Sequence, residues 1–144
     1  MRVLFASDHA GLELKRLLVE AARAGDVDAV DLGPLSPAAV DYPQFAHDLA
    51  RRIAAGEAER GVLVCGTGIG MAMAANRHRG VRAALCHDAF TAEMARRHND
   101  ANVLCLGGRT TAPADAVRML ELFLTTPFEG GRHERRVAAI DPAS

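Results

Sequence analysis

Short runs of apolar residues alternate along the chain with longer segments in which apolar residues recur every three or four positions. The short runs predict five β-strands, at Val3–Ala6, Val27–Leu32, Val62–Cys65, Arg82–Cys86 and Val103–Leu106. The longer segments predict helices at Leu12–Ala24, Tyr42–Ala55, Ile69–Arg77, Ala89–Arg97 and Ala114–Leu124, followed by a basic terminal helix within Gly131–Ile140. Four glycines stand where these helices are expected to end: Gly25, Gly56, Gly61 and Gly80.

This alternation of strand and helix predicts a parallel sheet with right-handed crossover connections. The strands are nearly continuous apolar runs, as a sheet covered on both faces requires. We therefore expect an α/β fold: a single doubly wound, Rossmann-like domain over residues 1–144, with a five-stranded parallel sheet, helices on both faces and a C-terminal helix. Ligands bind such sheets beyond the carboxyl ends of the strands, so the residues after each strand are the functional candidates.

Composition limits the class of protein. Of the 144 residues, 49% are hydrophobic and 24% are charged, and the formal net charge is −1. That balance is typical of a globular domain and offers no strong field to attract nucleic acid or an anionic membrane. No apolar run reaches the roughly 18 residues of a membrane span, and the first residues do not resemble a signal peptide. Three unpaired cysteines complete the expectation of a cytoplasmic protein.

A cysteine and a glycine-rich loop follow the third predicted strand. Cys65 precedes Gly66, Gly68 and Gly70, and a helix is expected to begin within this loop. Such a loop points backbone N–H groups at one spot and predicts an anion site, although it lacks the lysine of a P-loop and the third glycine of a dinucleotide fingerprint. A thiol placed there can act as a nucleophile or a general base. Taken alone, Cys65 can equally be a small buried hydrophobic residue.

The motifs SDHAG, DYP, CGTGIG, HNDANVL, GGR and EGGRHERRV occur in this order along the chain. Together they resemble the ribose-5-phosphate isomerase B family, which also contains the galactose-6-phosphate isomerase subunits. The resemblance extends from Arg2 to about Ile140. It implies an aldose–ketose isomerase that interconverts ribose 5-phosphate and ribulose 5-phosphate through an enediolate, with no metal or organic cofactor.

The family pattern also implies roles for individual residues. It makes Cys65 the base, Thr67 a further donor and His98 the acid that opens the sugar ring. One branch of the family uses a glutamate directly after the last glycine of the loop, and Met71 occupies that position here. The remaining residues that the resemblance assigns to substrate binding are Asp8, His9, Tyr42, Gly66, Thr67, Gly68, Ile69, Gly70, Asn99, Arg109, Arg132 and Arg136.

Several of these residues also have a plain structural interpretation. Asp8 can cap the first helix, Tyr42 can pack at the entry of the second, and His98 can be a surface histidine at a helix end. Arg132 and Arg136 stand four residues apart, so a helix would present both to one phosphate, although runs of charge are more often solvated faces.

No metal site is expected from the spacing of His47, His78 and His87. The first alternative function is the same reaction on another sugar phosphate, either a hexose 6-phosphate or a tetrose 4-phosphate. The second alternative function is a regulatory module that binds a nucleotide through the glycine loop and is not an enzyme. Such a module would need neither a catalytic base nor a catalytic acid.

The predicted topology adds an expectation about assembly. Cys65 and Asp8 follow strands and so lie at the carboxyl edge of the sheet, whereas His98 and Asn99 precede the fifth strand and lie at the opposite edge. If His98 opens the sugar ring, it must come from a neighbouring subunit. We therefore expect a homodimer, or a tetramer, that binds a small sugar phosphate in shared active sites.

Overall fold

The computed structural model describes residues 1–143 and contains a sheet of five parallel strands. The strands are β1 (Arg2–Ser7), β2 (Asp28–Asp31), β3 (Arg60–Cys65), β4 (Ala83–Leu85) and β5 (Val103–Gly107). The helices are α1 (Leu12–Ala24), α2 (Tyr42–Ala54), α3 (Ile69–Ala75), α4 (Ala89–Asn99), α5 (Pro113–Thr125) and α6 (Arg132–Ala138).

The strands lie in the order β2-β1-β3-β5-β4. The chain first moves outward from β1 to β2 and then returns to place β3 on the other side of β1. This reversal makes the carboxyl ends of β1 and β3 the switch point of the sheet, where doubly wound folds bind their ligands. The predicted fold class is confirmed.

Two apolar layers cover the sheet. On one face, residues of α1, α4 and α5, such as Leu18, Ala92 and Phe123, pack on Val3, Phe5 and their neighbours in the central strands. On the other face, α2 and α3 cover the alternate strand positions with residues that include Leu49 and Met71. The alternation of buried residues between these layers is the reason that the central strands are nearly continuous apolar runs.

The observed elements agree with the predicted ones to within about two residues at most ends, with two corrections of physical interest. Gly61 does not end a helix; it lies inside β3, where a Cβ atom would stand only 2.6 Å from Leu49 Cδ2. β4 is one residue shorter than predicted at each end; at its start, the Arg82 N–H group is bonded to the Asn102 side chain, at Oδ1 and 2.8 Å, in place of a strand partner. None of the helices in residues 1–143 is both long and apolar enough to span a membrane.

A buried ion pair fixes the segment between β2 and α2. The Lys15 side chain on α1 is 0% exposed, and its Nζ lies 2.9 Å from Asp31 Oδ1 while donating to Pro34 O at 2.6 Å. Asp31 also accepts the Gly33 N–H group at 2.8 Å, and Gly33 O accepts from Ser7 N at 3.1 Å. The start of the β2–α2 segment is therefore tied to both α1 and β1.

We expect Lys15→Met to lower the free energy of unfolding by about 3 kcal/mol, because Asp31 would keep a largely buried charge without its ion-pair partner. Equilibrium urea unfolding measures this change. The matched control is Arg118→Met, which removes a cation that is 62% exposed in its pair with Glu121 and should alter stability by no more than about 0.5 kcal/mol. Equal losses in the two variants would show that the buried pair does not anchor this segment.

Candidate active site

The glycine loop folds back over the thiol at the end of β3. Cys65 is the last residue of that strand and is 5% exposed. Its Sγ accepts a hydrogen bond from Gly68 N at 3.1 Å, and Thr67 Oγ1 accepts from Ile69 N at 3.3 Å. Gly68 has a φ of 81°, a conformation that glycine adopts without strain, and this turn directs the loop into α3.

Several backbone donors of the loop remain available. The N–H groups of Gly66, Thr67 and Gly70 have no hydrogen-bond acceptor within residues 1–143. These groups belong to one short turn beside the Cys65 thiol. This turn, residues 66–70, is called the cradle, and it can hold a small anion next to a potential base. The anion-binding loop predicted from the sequence thus has the donors it requires.

The loop after β5 is hydrogen-bonded to the glycine loop. Gly108 N donates to Cys65 O at 2.7 Å, and Arg109 N donates to Gly66 O at 3.0 Å. The Arg109 side chain lies over Gly66 so closely that a Cβ atom there would be 3.3 Å from Nη1. The guanidinium group of Arg109 is therefore brought to the cradle, where it can bind an anion.

Asp8 enters the same region from the end of β1. Its N–H group donates to Val64 O at 3.1 Å, and its Oδ1 accepts from Gly11 N at 2.9 Å, just before α1. The N-cap residue of α1 is Gly11 and the helix has no side-chain capping hydrogen bond, so the prediction that Asp8 caps this helix is wrong; its carboxylate binds the turn before the helix instead. Its second oxygen, Oδ2, accepts no hydrogen bond from any described residue, so the same carboxylate can also meet a hydroxyl group of a ligand.

His9 and Tyr42 connect the β2–α2 segment to the cradle. His9 Nδ1 accepts a hydrogen bond from Val40 N at 3.2 Å. Tyr42, the first residue of α2, packs its ring on Gly70, where a Cβ atom would be 2.7 Å from the Tyr42 hydroxyl oxygen. Tyr42 therefore borders the glycine loop, through packing of the kind that the sequence also allowed, whereas the His9 side chain is bonded to the β2–α2 segment.

A second group of the candidate residues lies at the other edge of the sheet. His98 and Asn99 are the last two residues of α4, and Asn102, three positions on, accepts the Gly61 N–H group at 2.8 Å near the start of β3. β3 runs from Arg60, at this edge, to Cys65 at the other and is about 16 Å long. One chain therefore does not bring His98 and Asn99 to its own thiol.

The basic terminal helix joins this second group. Arg136 of α6 lines a cavity of about 360 Å³ together with His98, Asn99, His133, Val137 and Ile140. Arg132 begins the same helix. The pKa of His133 is lowered, first by desolvation in this cavity and then by the charges of His98 and Arg132. The cavity is thus polar and cationic, and its lining residues, with Arg132 and the adjoining Glu129, are called the half-site.

Two members of this half-site, Glu129 and His133, are not among the residues predicted from the sequence. The rings of His98 and His133 stack with centroids 4.4 Å apart, and Glu129 Oε2 lies 3.8 Å from His98 Nε2. Glu129 and His133 are four residues apart in EGGRHERRV. That spacing could have indicated a shared face, but the packing of α6 against α4 could not be read from it.

The three thiols occupy different surroundings. Burial raises the pKa of Cys86 to about 11, and it also raises the pKa of Cys105, which is 0% exposed. Neither thiol belongs to a glycine loop. Cys65 alone among the three accepts a backbone N–H group of the cradle.

We expect Gly68→Ala to destabilise the protein more than Gly56→Ala. The two glycines have matching φ values, 81° and 80°, so each substitution strains the backbone by about 1–2 kcal/mol. A Cβ atom at Gly68 would also stand 2.9 Å from the Leu106 carbonyl carbon, whereas nothing lies within 4 Å of one at Gly56. The further loss at Gly68 should be at least about 1 kcal/mol in urea unfolding. Equal losses would show that the loop does not need this close approach.

Comparisons with known proteins agree with the geometry. A family model described as Ribose/Galactose Isomerase matches residues 3–140. The chain is 39% identical over 139 residues to the ribose-5-phosphate isomerase B of Escherichia coli strain K12, covering 96% of this chain and 93% of that protein.

Solved structures are similar over nearly the whole chain. The ribose 5-phosphate isomerase of Thermotoga maritima aligns with a TM-score of 0.96 at 45% identity, covering 99% of this chain and 98% of that one. The ribose-5-phosphate isomerase B of Mycoplasma genitalium, solved with bound ribulose-5-phosphate, aligns with a TM-score of 0.93 at 42% identity, covering 96% and 93% of the two chains.

Proposed function

Because this chain belongs to the ribose/galactose isomerase family, we propose that it interconverts ribose 5-phosphate and ribulose 5-phosphate. The observation that carries the proposal is the Cys65 thiol held by Gly68 N at 3.1 Å beside N–H groups that have no acceptor in the described chain. A base next to an oxyanion cradle is the arrangement that proton transfer beside a carbonyl needs. The ribulose-5-phosphate bound to the Mycoplasma genitalium relative supports this choice of substrate.

The base in this reaction is the thiolate of Cys65. It removes the proton from C2 of the open-chain aldose, and the electron pair moves onto the carbonyl oxygen to form an enediolate. Transfer of the C2 hydroxyl proton to the C1 oxygen and return of the abstracted proton to C1 then give the ketose, so no atom is lost and no external oxidant is needed. Protein groups alone serve every step, which is why the proposal includes no cofactor.

The loop stabilises the negative charge that develops on the substrate oxygens. The available N–H groups of Gly66, Thr67 and Gly70 would donate to the enediolate, with the Thr67 hydroxyl as a further donor. Asp8 Oδ2 would accept a hydrogen bond from a sugar hydroxyl group, since Oδ1 already accepts one from Gly11 N. Arg109 and Tyr42, which contact the loop at Gly66 and Gly70, would orient the rest of the sugar.

The half-site supplies a proton donor for the ring oxygen and two arginines for the phosphate. The sugar phosphate arrives mainly as a ring, so a proton donor for the ring oxygen is needed, and His98 takes this role with Asn99 binding beside it. Arg136 lies in the same cavity, and with Arg132 it would bind the phosphate dianion. Since β3, about 16 Å long, separates the cradle from the half-site, each active site would combine the cradle of one chain with the half-site of another.

Four exposed apolar side chains near the edge strand β4 support this assembly, and together they are called the apolar patch. They extend from α3 on one face of the sheet, across β4, to α4 on the other face, and are Ile69, Met73, Leu85 and Phe90, which are 46%, 60%, 41% and 67% exposed. Ile69 also belongs to the catalytic loop, so a second copy of the chain that covers the patch would lie next to the cradle. We therefore propose a homodimer with two shared active sites.

We expect Cys65→Ala to lower kcat for ribose 5-phosphate by about 10²–10⁴-fold, because the proton at C2 would lose its acceptor. Two measurements check this result: the rate of ketose formation and the washout of deuterium from C2-labelled substrate into solvent. Both should fall together, since they report the same proton transfer.

Cys86→Ala is the matched control, because it removes a buried thiol outside the loop and should leave both rates near the wild-type values. A Cys65→Ala enzyme that kept more than about a tenth of kcat would overturn the assignment of the base. The same assay with a hexose 6-phosphate and a tetrose 4-phosphate tests the substrate, and kcat/KM should be highest for ribose 5-phosphate.

We further expect activity to reappear when two inactive variants, Cys65→Ala and His98→Ala, are unfolded together and refolded as a mixture. With shared sites, a mixed dimer has one site with both substitutions and one intact site. Half of the dimers are mixed, so about one quarter of the wild-type sites should be restored. The assay uses the ring form of the substrate, on which His98 acts. Mixed dimers that form without activity would show that His98 serves its own chain.

A further inference from the structure

Three side chains with metal-binding atoms meet where α4, the turn before α6 and α6 itself come together. His98 Nε2 lies 3.8 Å from Glu129 Oε2, and His133 Nε2 lies 3.7 Å from Glu129 Oε1. One ligand atom from each residue falls within 4.8 Å of the other two. The proposed reaction uses neither Glu129 nor His133, so the presence of this cluster needs a separate explanation.

His133 is the second observation. Its side chain is only 9% exposed, and its Nε2 is a buried polar atom with no hydrogen-bond partner within the described chain. A buried nitrogen without a partner is costly, because the group has lost water and gained nothing in return. The nearest carboxylate oxygen to this atom in its ion pair is Glu129 Oε1, so Nε2 is directed into the cluster.

The backbone holds the three residues in place. Glu129 N donates to Arg97 O at 3.0 Å, which fixes the turn against the end of α4 beside His98. His133 N donates to Gly130 O at 3.1 Å, and the positive φ values of Gly130 and Gly131, 69° and 57°, let the chain reverse before α6. The ligand-bearing segments are thus positioned by main-chain bonds rather than by the side chains themselves.

We propose that His98, Glu129 and His133 form a binding site for a divalent transition-metal ion of the zinc class. Two imidazole nitrogens and one carboxylate, with a fourth position open, are a donor set that this class of ion takes. Bonds of about 2.1 Å would place neighbouring ligand atoms about 3.4 Å apart. The two nitrogen–oxygen pairs at 3.8 and 3.7 Å are close to this separation, whereas the three ligand atoms together span up to 4.8 Å and would have to draw in further. The His98 and His133 rings stack within 13° of parallel, so their lone pairs do not converge, and the His98 ring would have to rotate to bind the same ion as His133. Exposed fractions of 39% for His98 and 48% for Glu129 leave these two side chains free to make that change.

Selectivity follows from the ligands and the surrounding charge. Magnesium and calcium prefer oxygen ligands, so a site with two imidazoles excludes them. Arg97 Nη1 is 4.0 Å from Glu129 Oε2, and Arg136 lines the same cavity, so positive charge opposes the ion. The site is therefore one for reversible occupation and not for a permanent structural metal.

Occupation of this site would also inhibit isomerisation, a consequence that rests on the proposed role of His98. An ion on His98 Nε2 takes the lone pair that would otherwise carry the proton for ring opening. The metal would then lower the rate at which the enzyme converts the ring form of the substrate, while the Cys65 cradle remains unchanged.

In the test, the wild-type protein is titrated with Co²⁺, and binding is followed by the visible absorption of the bound ion. The bound Co²⁺ is then displaced with Zn²⁺. We expect one ion per chain in the half-site. Glu129→Gln should weaken binding by at least the roughly 10–100-fold that loss of an outer-shell partner costs at metal sites. His133→Phe should weaken it similarly, and Glu129→Gln, at an exposed position, keeps the test valid if the buried His133→Phe fails to fold.

Two control variants should bind as the wild type does. Glu134→Gln removes an exposed carboxylate from the first turn of α6. His47→Gln removes one member of the other close imidazole pair, in which His47 Nδ1 and His78 Nε2 are 2.7 Å apart. Equal Co²⁺ affinity in Glu129→Gln and the wild type, or a sulfur-to-cobalt charge-transfer band that identifies a thiolate ligand, would overturn the proposed site.

Activity provides a second readout that separates this site from the proposed reaction. Saturating Zn²⁺ should lower the rate with ring-form substrate at least about tenfold in the wild type and have little effect on Glu129→Gln, while Mg²⁺ affects neither. If the spectra show metal bound through Glu129 and His133 but the rate is unchanged, the metal site is supported and the role of His98 as the acid is overturned. Inhibition that persists in Glu129→Gln would overturn the link between this site and activity.

Discussion

Close backbone contact at the carboxyl edge of the sheet is the constraint on which the rest of the structure depends. The loops after β1, β3 and β5 touch one another with almost no side chain between them. A Cβ atom on Gly11 would overlap the Val64 carbonyl oxygen, and one on Gly108 would stand 2.8 Å from Ala10 O. Only because these positions are glycines can Asp8, Cys65 and Arg109 come from three strands to one place.

The same crowding explains how a small sheet can hold a rigid site. The β3 and β5 loops are bonded directly, through Gly108 N to Cys65 O, and the β2–α2 segment is anchored by the buried Lys15–Asp31 pair. Each contributing loop is therefore fixed at a point other than its functional side chain. A ligand meets donors that are already in position, so less of its binding energy is needed to order the protein.

How much of this could be predicted from the sequence depends on the range of the interaction. The sheet and the glycine loop follow from local apolar patterns and from residues adjacent in the chain, such as Cys65 and Gly66. Gly61 was misassigned because glycine marks helix ends and close packing alike, and only the position of Leu49 distinguishes them. The contact of His98 with His133 depends on how α6 packs against α4, which periodicity within either helix does not determine.

The two edges of the sheet also differ in their electrostatics, and Glu129 is central to the difference. Its carboxylate lies within 4.0 Å of a nitrogen of Arg97, His98 and His133, so one negative charge serves three basic groups. A proton on His98 strengthens its pair with Glu129, whereas a metal ion would recruit the same carboxylate and the same nitrogen. Protonation and metal binding at His98 Nε2 are therefore mutually exclusive, so under the two proposals the half-site would either donate a proton to the ring or hold an ion. The cradle, about 16 Å away along β3, has no part in that choice within its own chain, so under the proposed assembly an effect on turnover would pass through a site shared between subunits.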